Sequence, residues 1–189
     1  MRSAFIILLI HIGLASFGQE IIQENDSLIL WSKNRPLTWD DFKGPPTPVR
    51  THNRAGTGMT IQYISMKNIY GQVEINPLCY FQKCRSWTNT NDSKTLDHEQ
   101  LHFDIQELYT RKLRKSYSEY GGGNFNDEDF YTSTSDSIYN LCQSMQEKYD
   151  YEVLVNYPKF LEWKSRISEE LDELKEYEYT KDKSLTKFK

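Results

Sequence analysis

The chain has 189 residues with 23 basic and 27 acidic side chains, a formal net charge of −4. That balance lacks the basic footprint of a nucleic-acid-binding protein, so no nucleic-acid partner is expected. The length suits one domain once a leader is removed, and 13 Tyr, 9 Phe and 4 Trp offer a core of rings with polar edges.

Residues 1–18 read as a secretory signal peptide. Arg2 supplies a positive charge, Ala4 to Leu14 is almost wholly apolar, and Ser16-Phe17-Gly18 puts small residues at −3 and −1 of a cut before Gln19. The apolar run is too short to span a bilayer and no second one follows. The mature chain is therefore expected to be soluble, secreted or periplasmic, with no stable membrane span. Losing Arg2 leaves 22 basic against 27 acidic groups, a net charge near −5.

Ser27-Leu28-Ile29-Leu30-Trp31 is a short apolar run that predicts an edge strand. Between Leu37 and Pro46, Gly44, Pro45 and Pro46 end any regular element, and Trp39 and Phe42 are expected to anchor this turn on the core. His52 reads as a surface loop histidine. From Arg54 to Trp87 apolar and polar residues alternate: Met59, Ile61 and Tyr63 against Thr60 and Gln62, then Tyr70, Val73 and Ile75. An antiparallel meander of three or four strands follows from that alternation. Cys79, Cys84 and Cys142 suit one disulfide and one free thiol in an exported protein, with all three pairings open.

The polar run from Thr88 to Ser93 offers helix caps, and a helix is predicted from there to about Tyr120. Leu101, Ile105, Leu108, Tyr109 and Leu113 form its apolar stripe, and Glu107 and Arg111 make an i,i+4 pair expected on the exposed side. Gly121-Gly122-Gly123-Asn124 reads as a stop and a flexible loop. It is not a phosphate cradle, since no strand precedes it. A second helix is predicted over about 127–153, with Tyr131, Ile138, Leu141, Cys142, Met145 and Tyr149 at helical spacing. Pro158 suits the first turn of a third, whose stripe is Phe160, Trp163, Ile167, Leu171, Leu174 and Tyr177. Residues 181–189 read as a polar tail, which leaves 19–180 as a single domain without repeat or linker.

Within the first helix stands His98-Glu99-Gln100-Leu101-His102, a His-Glu-x-x-His pentad. Residues four apart share one helix face, so His98 and His102 can aim two neutral imidazoles at one metal ion, with zinc the usual occupant. Glu99 lies on the neighbouring stripe, where a carboxylate can act as general base on a water. A catalytic zinc usually has a third protein ligand. The metzincin continuation is absent, because Ile105 and Leu108 stand where Gly and His are needed. The expected third ligand is Glu152, three residues after Tyr149 on the stripe predicted to be buried; Asp150, which points away from that stripe, is the second choice.

Several motifs occur in order: Leu37-x-Trp39-x-Asp41-Phe42-x-Gly44-x-Pro46, Ser86-Trp87, His98-Glu99-Gln100-x-His102-Phe103-Asp104, and Tyr149-Asp150-x-Glu152. Together they resemble a bacterial domain-of-unknown-function family described as predicted secreted zinc-dependent proteases, over roughly residues 31–168. The resemblance implies that His98 and His102 are zinc ligands, Glu99 the base and Asp104 a partner behind the ligands, with a peptide or protein as substrate. The family pattern continues Thr-x-His-Gly after Tyr-Asp-x-Glu, whereas this chain has Val153, Val155 and Asn156 at the corresponding positions. If that histidine is the family's third ligand it is missing here, and a degenerate member acting as a binding or structural envelope protein is the alternative. The expected fold class is α+β: an N-terminal antiparallel sheet packed on about three C-terminal helices, with a zincin-like metal helix.

Overall fold

A computed structural model describes residues 21–46, 54–67, 73–120 and 127–180. The leader, His52, Tyr70, the glycine run 121–123 and the tail 181–189 lie outside the described residues, as does the side chain of Val155. In chain order the elements are β1 (Leu28–Leu30), β2 (Ala55–Gly56), β3 (Met59–Lys67), β4 (Val73–Gln82), β5 (Trp87–Thr88), α1 (Ser93–Glu119), α2 (Glu128–Val155) and α3 (Lys159–Glu173). The architecture is α+β, an antiparallel sheet followed by three helices. No helix among the described residues is long and apolar enough to cross a membrane.

The main sheet has the order β1-β4-β3, all antiparallel, with Ile29 opposite Phe81 and Ile61 opposite Cys79. Successive side chains of a strand point to opposite faces. Cys79 and Phe81 therefore join Ile29 and the helices in the larger core, while Leu78 and Tyr80 join Leu30 and Ile64 in a smaller one. The second face is covered by Ile21 from the N-terminal segment and Tyr179 from the C-terminal one. Burial on both faces explains why Leu78-Cys79-Tyr80-Phe81 is a continuous apolar run and not an alternating one. Pro77 is tolerated in this central strand because β1 reaches only Tyr80 to Gln82, and the Pro77 carbonyl accepts instead from Arg114 Nε at 2.7 Å.

β2 and β5 form a separate two-stranded ladder, so the meander is split between two sheets. Phe42 is buried and Trp39 packs against the same core, so both anchor the turn as expected. At Gly44 any Cβ would meet the carbonyl oxygens of Cys84 and Ser86 at 2.8 Å, and the Gly44 amide donates to Ser86 O at 2.7 Å. All three cysteines are free: Cys79 and Cys142 are buried, Cys84 is exposed, and the expected disulfide is absent.

Asp92 caps α1 by accepting from the Thr95 amide at 2.9 Å. The helix packs against β4, α2 and α3. It is consequently buried on several sides, with Leu101, Ile105, Leu108 and Leu113 joined by Phe103, Thr110 and Tyr117. That crowding corrects the expectation of an exposed Glu107–Arg111 pair, since both side chains are only 2% exposed. Arg111 and Arg114 both grip Glu107 Oε1, at 3.0 and 2.9 Å. Arg111 also donates to Leu171 O at 2.8 Å and pairs with Glu178 at 3.0 Å, and Arg114 donates to Tyr177 O at 2.9 Å. The network ties the C-terminal segment to α1 with its donors satisfied, which is the condition under which buried charge is tolerated.

Asp127 caps α2 through the Phe130 amide at 3.0 Å, and Glu128 and Asp129 complement the helix dipole. Cys142, Gln146, Tyr149 and Val153 form its buried stripe. Leu141, expected on that stripe, is 53% exposed because the stripe runs one position further along. Pro158 caps α3, whose buried Phe160, Trp163, Ile167 and Leu171 complete the core.

Candidate metal centre

His98 and His102 stand one turn apart on α1, and α2 crosses beside them. Their Nε2 atoms are 3.1 Å apart. Asp150 Oδ1 on α2 lies 3.1 Å from His98 Nε2 and 2.9 Å from His102 Nε2. Three potential ligand atoms thus form a nearly equilateral triangle. Ligand atoms held ~2.0–2.1 Å from a tetrahedral zinc lie roughly 3.3 Å from one another, so the triangle needs only a small expansion to accept an ion. The donor set of two imidazoles and a carboxylate is also of the right chemical type. The His98–His102–Asp150 group is one that can hold a metal ion.

The electrostatics of the three groups are mutual. Burial alone would raise the Asp150 carboxyl, but the close approach of the His102 and His98 imidazoles outweighs it and holds the group well below the usual carboxylate range. Burial would lower His102, yet Asp150 and then the charge of Glu99 raise it. A positive charge between these groups, proton or metal ion, is what the arrangement favours. The Asp150 side chain is 57% exposed, so the triangle opens to solvent on that side.

The expectation of Glu152 at this position is corrected. Glu152 Oε2 accepts from Trp163 Nε1 at 3.0 Å and its other oxygen lies 3.7 Å from Lys148 Nζ, so it faces α3. The reason is angular. The buried stripe runs through Cys142, Gln146, Tyr149 and Val153, which turns the Gln146–Asp150 flank of α2 toward the histidines and the Met145–Glu152 flank away. Tyr149 fills the space between: its ring stacks on His98 at 4.7 Å, meets His102 edge-on at 4.9 Å, and rests on Trp163 at 5.6 Å.

Glu99 is only 5% exposed and sits beside the triangle on α1. Thr57, in the connection between β2 and β3, donates its hydroxyl to Glu99 Oε2 at 2.6 Å. Asp104, expected behind the ligands, lies elsewhere: its Oδ1 accepts from Trp31 Nε1 at 2.8 Å and Gln100 Nε2 at 2.9 Å. The positions behind the histidines are held by Gln146, whose Oε1 is 2.6 Å from His102 Nδ1, and by Tyr149, whose hydroxyl is 2.8 Å from His98 Nδ1. Gln146 and Thr57 drew no attention in the sequence. Gln146 and Asp150 do repeat on α2 the i,i+4 spacing of the two histidines on α1, a signal that could have singled them out. No protein-family model, curated protein or solved structure matches this chain.

Proposed function

We propose that the chain is an exported zinc-dependent metallopeptidase whose metal is held by His98, His102 and Asp150. The observation that carries this reading is the convergence of those three ligand atoms within 3.1 Å of one another; the charge of Glu99 also acts on His102. A bound zinc ion would polarise a scissile carbonyl and acidify a water. Glu99 supplies the base. The Thr57 hydroxyl occupies Oε2, which leaves Oε1 to take a proton from the attacking water and return it to the leaving amine. The low exposure of Glu99 limits competing solvent around that transfer. The open side of the triangle at Asp150 is where a peptide would approach. Peptide as the substrate class, and export to the periplasm or medium, rest on the resemblance to predicted secreted zinc-dependent proteases and on the leader pattern.

A degenerate, non-catalytic member is the second reading, favoured by Val153 and Val155 where the family pattern has Thr and His. Val153 is buried in the core, so its position is already committed to packing. Mass spectrometry of a peptide library incubated with the zinc-loaded mature chain separates the two. The peptidase reading expects new termini that disappear in Glu99→Gln while zinc content is kept. Zinc binding with no cleavage of any peptide would favour the degenerate member.

A further inference from the structure

Each histidine of the triangle is engaged from behind by one side chain of α2, and in both cases that side chain also reaches the same histidine's own carbonyl. Gln146 Nε2 donates to His102 O at 3.0 Å. A carbonyl can only accept, so the amide has one orientation: its oxygen faces His102 Nδ1, 2.6 Å away, and Nδ1 must donate. Tyr149 repeats the arrangement with a single hydroxyl, 2.8 Å from His98 Nδ1 and 3.2 Å from His98 O. With His98 in the same tautomer as His102, the hydroxyl hydrogen goes to the carbonyl and its oxygen receives the Nδ1 hydrogen. Both α2 side chains are buried, so water does not compete for these bonds.

We propose that Gln146 and Tyr149 are positioning residues that hold both imidazoles as Nδ1–H tautomers, turning the two Nε2 lone pairs and Asp150 Oδ1 into an acceptor-only triangle built to receive a cation. This rests on the metal-binding part of the reading above and not on its peptidase part. A ligating histidine whose outward N–H is engaged by an acceptor is oriented and made more basic, and removing such a partner typically lowers metal affinity roughly 10–100-fold. The two clamps differ in chemistry. Gln146 orients its ring through an amide that cannot rotate without losing a bond, whereas Tyr149 acts through one hydroxyl hydrogen and a stacked ring.

The test uses the mature chain with zinc competed against a chromophoric chelator, together with long-range proton–nitrogen NMR of the imidazoles in the zinc-loaded and metal-free protein. Gln146→Met and Tyr149→Phe preserve volume and, for the latter, the stacking on His98. Each is expected to weaken zinc by roughly 10–100-fold. Gln146→Glu keeps an acceptor for Nδ1–H and is expected to remain within about fivefold of the parent, a rescue that a purely structural role does not give. The parent's His102 is expected to carry its hydrogen on Nδ1 in both states. Parent-like affinity in both Gln146→Met and Tyr149→Phe overturns the proposal, as does a His102 hydrogen on Nε2 alone, and so does a parent chain that takes up no zinc. Clamp effects in a protein that cleaves nothing would keep this proposal and remove only the peptidase.

Discussion

Glu107 offers the sharpest check on how α1 is held in place. Replacing it with Leu keeps the volume roughly similar and removes the carboxylate on which Arg111 and Arg114 both converge. Breaking a buried pair by removing one partner costs about 3–5 kcal/mol, because the remaining charge stays buried without compensation. Here two guanidinium groups are left. Arg111 retains Glu178 and Leu171 O, and Arg114 retains the carbonyls of Pro77 and Tyr177. Those remaining bonds point to the middle of the range, about 4 kcal/mol. For a chain of this length each kcal/mol moves the melting midpoint by about 2–4 °C, so the expected fall is about 8–16 °C. Thermal and urea unfolding followed by circular dichroism reads it. The triple variant Glu107→Leu with Arg111→Leu and Arg114→Met removes the buried charges together and is expected to recover most of the loss. A cost below about 1 kcal/mol for Glu107→Leu would refute the description of this network as buried and mutually dependent.

Thiol labelling should modify one cysteine per native chain, Cys84, and all three in denaturant, because burial raises the Cys142 thiol to about 12 and pushes Cys79 well above its usual value. Glu24 is held at about 2 by its hydrogen bonds with Arg35 and Lys83, below an unfolded value of 4.5. A depressed carboxyl contributes stability that is present above the unfolded value and lost as pH falls through the folded one. Glu24→Gln should therefore flatten the pH dependence of unfolding between about 4.5 and 2, and an unchanged acid limb would count against the ion pair. On the proposed peptidase reading, Thr57→Val should leave zinc content unchanged while lowering kcat by about tenfold, since it frees the carboxylate proposed as base; an equal loss of metal would instead make Thr57 structural.

Much of this architecture was legible because local chemistry and tertiary packing agree. Asp92 is a good helix cap in any context, and the α1 stripe and the α3 stripe from Phe160 to Leu171 bury where their spacing says they should, while Leu174 and Tyr177 fall past the end of α3 and are half-buried. The failures come where a third dimension intervenes. Glu107 and Arg111 have ordinary surface spacing, and only the packing of α1 against both β4 and the other helices reveals that they are enclosed. The expected alternation of the meander breaks down at Leu78 to Phe81, because Ile21 and Tyr179 cover the sheet's second face. At the candidate centre, helical phase places His98 and His102 together from one element alone. The third position depends on the rotation of α2 relative to α1: with the buried stripe through Cys142, Gln146, Tyr149 and Val153, the flank bearing Asp150 meets the histidines and the opposite flank bearing Glu152 meets α3. Gln146 and Thr57 act through contacts 44 and 42 residues distant in sequence, which no local pattern encodes.

Metal analysis of ligand variants tests the centre most directly. The mature chain, Asp150→Ala, Glu152→Gln, His98→Ala and His102→Ala are stripped with chelator, reloaded with zinc and dialysed, and the retained metal is measured. The parent and Glu152→Gln are expected to retain about one zinc per chain, and the other three to fall well below that. Retention by Asp150→Ala with loss in Glu152→Gln, or no retention by the parent, would contradict the account.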